Sequence, residues 1–197
     1  MTFTYTQSLF WNPSPDIFAE NLARLIRENL QIFTEMSAQQ GIELVAILPE
    51  NIVVGAVVKN DPTLIYIEAD YVDEPNTGFT AKVLQLQVTI KSGAKGNTVE
   101  QYRRACGYRS AIENLIYRLF SPAIDVKELL VGWPANVVGI DQEETMEKRA
   151  QIHQHVGIEI RGIQSIPVTP FSNGQNLIAG YECGLRLRLT VICNERR

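Results

Sequence analysis

Few residues of this chain have the type and spacing that chemistry demands. Its two histidines, His153 and His155, stand at i and i+2. On a strand that spacing puts both imidazoles on one face, where they offer two nitrogen ligands to a metal ion. No further His or Cys stands near enough in sequence to complete the set. The plainer expectation is a polar pair on a solvated or interface face, titrating near pH ~6.5. The stretch SGAKGNT (92–98) has the glycines of a phosphate loop but lacks the Gly-Lys-Ser/Thr ending and the spacing. It reads as a strand-to-helix turn. The acidic pairs Asp73–Glu74 and Glu143–Glu144 fall in breaker-rich or charged segments with no motif beside them, and read as solvated. Nothing sets a nucleophile beside a base. The expectation is a protein that is not an enzyme and that holds no metal and no cofactor.

The arginines carry more information. In YECGLRLRLTVICNERR (181–197) the apolar residues occupy the odd positions from Tyr181 to Cys193. Strict alternation predicts a half-buried strand. Leu185, Leu187 and Leu189 then face the core, and Arg186 and Arg188 share the opposite face. His153, His155, Glu159 and Arg161 share one face of an earlier strand, and Arg103, Arg104 and Arg109 dot a helix. A mixed, charged strand face is either solvated or covered by a partner. Between the last two strands, QSIPVTPFSNGQNLIAG (164–180) reads as a long loop with Pro167, Pro170 and Gly174 as breakers. Loops of that length in a compact domain are usually functional or disordered. Its apolar Ile166, Val168, Phe171, Leu177 and Ile178 follow no period. The expected interface set is Arg186, Arg188, Ile166, Val168, Phe171, Leu177, His153 and His155.

The elements that must position these residues can be read from periodicity. Apolar residues at helical spacing predict a first helix over about 15–38, with Ser14 as cap, Pro15 at the first position and Gly41 at the end. Strands are expected over 43–48, 52–58 and 63–72. Residues 82–91 alternate cleanly, with Leu84, Leu86, Val88 and Ile90 on one face. A second helix is expected over 99–120, with Thr98 and Gln101 at capping-box spacing. Its buried stripe would be Val99, Tyr102, Ala105, Cys106, Ile112, Leu115, Ile116 and Leu119. Shorter strands are expected within 124–140, and another over 150–163 with Ile152, Val156, Ile158 and Ile160 on one face. The aromatic residues 1–13 are expected to lie against the body or a neighbouring subunit. The order helix, strands, helix, strands defines an α+β fold: a mainly antiparallel sheet flanked by two amphipathic helices, with long loop or hairpin arms.

Size bounds the rest. The chain has 197 residues, 45% hydrophobic and 20% charged, with a net charge of −4. That fits one domain spanning 1–197, with elaborations at 121–149 and 164–180. The acidic balance argues against a general nucleic-acid binder. No apolar run reaches bilayer length, and the N-terminus has no secretory pattern, so the chain is expected in cytoplasm. Cys183 and Cys193 lie ten positions apart on one strand, beyond disulfide reach of each other. With Cys106 they read as small core residues.

Three stretches carry a family likeness: DIFAENLARLIRENLQIF (16–33), VLQLQVTIKSGAKGNTVEQYRRACGYRSAIENLIYRLF (83–120) and GYECGLRLRLTVICNE (180–195). The order of elements resembles the tail terminator proteins of long-tailed bacteriophages. The resemblance implies a structural virion protein of the neck. It implies a homo-oligomer, a hexameric ring, that caps the tail tube protein, ends tail polymerisation and joins the head-side connector or stopper. A sheath is a further neighbour it allows. DNA is implied only as cargo passing the lumen, and no membrane and no cofactor are implied. Assembly would take place in the host cytoplasm. The competing expectations are another neck or tail component, such as a stopper, head–tail connector or baseplate protein, and a small cytoplasmic ligand-binding module or enzyme.

Overall fold

The apolar stripe from Phe18 to Met36 folds as two helices, α1 (Pro15–Glu28) and α2 (Gln31–Gln40), and not as one. The break falls at Asn29. Its side-chain Nδ2 donates to the Leu25 carbonyl at 2.8 Å, and its backbone N–H turns to Ile26, three residues back. The backbone leaves the helical region there, φ −123° and ψ 32°, and the side chain fills the carbonyl so left open; the same bond from Asn114 to Ser110 leaves α3 (Thr98–Leu119) unbroken. Pro15 and Asp16 sit in the first turn as expected, but Ser14 makes no side-chain capping bond. Gly41 closes α2 in the left-handed region, φ 63°.

The structure is a computed structural model. It describes residues 14–55, 63–72, 81–93, 98–120, 129, 156–172 and 178–193. The expectations for residues 1–13, for the shorter strands within 124–140 apart from a buried Leu129, and for Ile152 lie outside those residues.

Residues 43–48 do not form the expected strand. Their backbone is held by α3. Tyr108 Oη donates to the Val45 carbonyl at 2.8 Å, and Arg104 Nε to the Glu43 carbonyl at 3.1 Å. Leu44 lies so close over Gly107 that a Cβ there would stand 2.9 Å from its Cδ2. That contact sets the buried face of α3. Gly107, Tyr108 and Ala111 face inward, while Val99 (61% exposed) and Tyr102 (48%) point out, against the expected stripe. Cys106 is half-buried for the same reason.

Among the described residues five strands form one sheet in the order β1-β2-β3-β5-β4. They are β1 (Ile52–Val54), β2 (Thr63–Val72), β3 (Ala81–Gly93), β4 (Val156–Ser172) and β5 (Ile178–Cys193). Only β1 and β2 run parallel. Leu84, Leu86, Val88 and Ile90 of β3 and Cys183, Leu185, Leu187, Leu189 and Val191 of β5 are buried in one core with Phe18, Leu22, Ile26, Phe33, Ile112 and Leu115 of the helices. The expected α+β fold with a mainly antiparallel sheet is the fold observed, with three helices among the described residues in place of two. No helix among those residues is long and apolar enough to cross a membrane.

The expected loop 164–180 is largely strand. Residues 164–172 belong to β4 and 178–180 to β5. Pro167 and Pro170 are tolerated because β4 is an edge strand and the register slips between Ile166 and Thr169. The hairpin of the last two strands forms as the alternation predicts.

Candidate functional site

The face of the sheet turned away from the helices is built from same-face pairs. Each strand contributes polar residues at i and i+2, because side chains alternate. On β2 these are Glu68 and Asp70, on β3 Gln87 and Gln85, on β5 Arg186 and Arg188. The register aligns them into two rows. Glu68 stands beside Gln87, Gln87 beside Arg186, and Arg186 beside Gln164 of β4. Asp70, Gln85, Arg188 and Gly162 form the second row. Neighbouring strands are ~4.8 Å apart, so the carboxylate and guanidinium columns stand about 10 Å apart with a neutral amide column between them.

Arg186 is half-buried and Arg188 exposed. Arg186 Nη2 donates to Gln87 Oε1 at 3.1 Å, while its Nε is buried with no hydrogen-bond partner among the described residues. Arg161 is the extra residue of a register shift between Ile160 and Gly162, and its Nε donates to Thr190 Oγ1. The bulge carries Arg161 to the β5 side of this face. Because Gly162 has no side chain opposite Arg188, the three arginines and Gln164 line an open depression of about 390 Å³. A second, of about 510 Å³, lies on the acidic side and includes Asp16, Glu68 and Asp70. A small-molecule pocket buries most of its ligand, and these two hollows are open. One further row along, burial pushes the Tyr66 phenol up, and Glu182 and Glu68 push the same way against its hydrogen bond with Thr89.

The expected interface residues divide into several groups. Arg186 and Arg188 sit together on the polar face. Ile166 is half-buried opposite Gly184 on that same face. Val168 is half-buried and packs on the core, and the Phe171 ring lies against Gly180. His153, His155 and Leu177 lie outside the described residues, as do the two acidic pairs and residues 94–97 of SGAKGNT. Arg109 bonds the Ile166 carbonyl at 3.1 Å, tying α3 to β4. Cys183 is buried, donates to the Ala105 carbonyl at 3.2 Å, and has its thiol pushed up to about 12, chiefly by burial. Among the described residues no three His, Cys, Asp or Glu side chains gather as a metal site.

The sequence reading missed Glu68, Asp70, Gln85 and Gln87. The signal was present in IEAD (67–70) and LQLQV (84–88), where polar residues alternate with apolar ones as the arginines do in LRLRL. What it lacked was the order of the strands. No protein-family model matches the chain, and no curated protein matches it.

Proposed function

We propose that the chain is a structural ring subunit of a long-tailed phage, a tail terminator that caps the tail tube and joins it to the head-side connector. The observation that carries the reading is the sheet itself. Helices seal one face, and the middle of the other carries two charged rows whose hollows, among the described residues, stand open. Such a surface suits contact with protein. The order of elements that resembles the terminator family is present: helices, strands, a long helix, then a closing antiparallel hairpin. The role needs no cofactor and no reacting group. Its hexameric ring binds the tube end with one rim and the connector with the other.

The test is tube length. Purified tail tube protein is polymerised with and without the chain, and lengths are read by electron microscopy. A terminator stops growth and leaves a ring at one end. Tubes that grow equally long in molar excess of the chain refute the reading, and binding to connectors without binding to tubes makes it a stopper instead.

A further inference from the structure

We infer that the polar face of the sheet is self-complementary, so that Arg186 and Arg188 of one copy dock onto Glu68 and Asp70 of a second copy of this chain. Strand register sets the match. Glu68 and Arg186 share a row through Gln87, and Asp70 and Arg188 share the next row through Gln85. Both acidic residues lie one strand to one side of β3, and both arginines one strand to the other.

Take a second copy turned about a two-fold axis that runs along β3 in the plane of contact. The rotation keeps each row at its height and exchanges the two sides. β2 of one copy then lies over β5 of the other. Glu68 meets Arg186 and Asp70 meets Arg188, twice over, while Gln87 and Gln85 meet their own counterparts. A two-fold interface requires this self-complementarity. A slip of one row would keep only half of the pairs, one Glu68 on Arg188 and one Asp70 on Arg186, and leave the remaining charges without a counterpart. Glu68, Asp70 and Arg188 are exposed, and Arg186 is half-buried. Sheets packed face to face stay within about 30° of each other, so the rows remain in step over the three central strands.

The area sets the strength. The open part of the face is confined to the two charged rows and their neighbours, because Leu64, Val83, Thr89 and Thr190 on the same face are already buried. Such a patch is smaller than a standard interface, and contacts of that size are transient. The pair is therefore a weak, salt-sensitive state of the free subunit. It occupies the face that faces assembly in the proposed ring, so pairing and ring closure exclude each other. Nothing in the register argument depends on the ring: the pair is measured on free protein and the ring on tubes, so either can fail alone.

The experiment measures the mass of the full chain by sedimentation over a concentration series, at about 0.1 M and about 1 M salt, where screening lengths are ~10 and ~3 Å. Three samples join the parent: R186E/R188E, E68K/D70K, and their equimolar mixture. The parent is expected to pair at low salt and to pair at least tenfold more weakly at high salt. Each charge-reversed variant should be monomeric with a melting temperature near that of the parent, and the mixture should form one-to-one pairs. R188E and D70K alone, both at exposed positions, replace the doubles if either double folds poorly. A monomeric parent, variants that pair as the parent does, or a mixture that stays monomeric each overturn the inference.

Discussion

Replacing Gly184 with alanine should destabilise the fold by far more than one methyl group suggests. Gly184 lies in the middle of β5, paired with Thr89 of β3 on one side and Ile166 of β4 on the other. A Cβ added there would stand 2.2 Å from the Val88 carbonyl oxygen, 3.2 Å from its carbon and 3.3 Å from Thr89 Cα. All three are backbone atoms of the neighbouring strand, so no side chain can swing aside. An ordinary Cβ–oxygen contact needs the strands to part by about 1 Å, which opens the local ladder. Overpacking costs about 1–3 kcal/mol. Each weakened ladder bond adds ~0.5–1.5 kcal/mol. The less flexible unfolded chain gives back ~0.4–1 kcal/mol. The net loss is about 2–3 kcal/mol, or a fall of roughly 4–12 °C in melting temperature for a chain of this size. Gly162→Ala is the control: a Cβ there meets nothing within 4 Å, on an edge strand. It should change stability by less than ~0.5 kcal/mol or raise it slightly. Urea unfolding of both variants, followed by circular dichroism, checks the pair. Equal stabilities would refute the reasoning, because the close approach of β3 and β5 would then not constrain position 184.

Leu115→Ala removes a side chain only 3% exposed from the α3 face of the core, and urea unfolding should show a loss of about 2–5 kcal/mol. Alkylation of the native protein at pH 8 should label Cys106 and spare Cys183, whose thiol is buried and pushed up to about 12; equal labelling in a mass-mapped time course would contradict its burial. The same shift makes stability depend on alkaline pH. An unfolded thiol ionises near 9.0 while the native one holds its proton to about 12, so this contribution is intact below pH 9 and is lost as pH rises from 9 to 12. One proton gives a slope of at most ~1.4 kcal/mol per pH unit. Tyr66 and Tyr108, also raised by burial, steepen the fall above 10. Cys183→Ala should flatten the part that begins at 9, and identical alkaline melting profiles for parent and variant would refute the assignment. R186A/R188A should leave the unfolding free energy of the monomer within ~0.5 kcal/mol of the parent, since neither arginine enters the core; a larger loss on urea titration would mean that the polar face is needed for folding.

Where alternation was strict, the sequence alone was enough. The odd positions from Tyr181 to Val191 and the even ones from Leu84 to Ile90 are all buried on the helix side. The misreadings each have a local competitor. At Asn29 the apolar stripe continues, but the backbone leaves the helical region, φ −123° and ψ 32°. At 43–48 the residues favour a strand, yet Tyr108 and Arg104 from α3 hold the carbonyls that a neighbouring strand would have bonded. At 164–172 two prolines read as breakers, and only knowledge that β4 lies at the edge would have restored the strand. In α3 the expected Ala105, Ile112, Leu115 and Ile116 are buried, but Val99 and Tyr102 of the first turns point out and Gly107, Tyr108 and Ala111 belong to the stripe as well. Gly107 looks like a flaw in a helix, but it faces inward because Leu44 crosses over it.

The polar face was legible strand by strand but not as a whole. Each i, i+2 pair could be read from the sequence, but their neighbours could not, because β5 reaches β3 across the whole of α3 and the segment after it. Once the order is fixed, the charges have no freedom left. A slip of one residue between β3 and β5 would bring Arg186 and Arg188 into the core and put Leu185, Leu187 and Leu189 on the outer face. A slip of two would keep every leucine buried, yet it would move Arg186 out of line with Glu68 and Arg188 out of line with Asp70. Burial alone therefore permits several charge layouts. The close approach at Gly184 excludes the second slip, because a shift by two would set Glu182 or Arg186 opposite Thr89, with a Cβ near the Val88 carbonyl where there is no room for one. The glycine that pins the core register thus also aligns the two rows of charge, and the stability of the sheet and the pattern on its open face depend on the same contact.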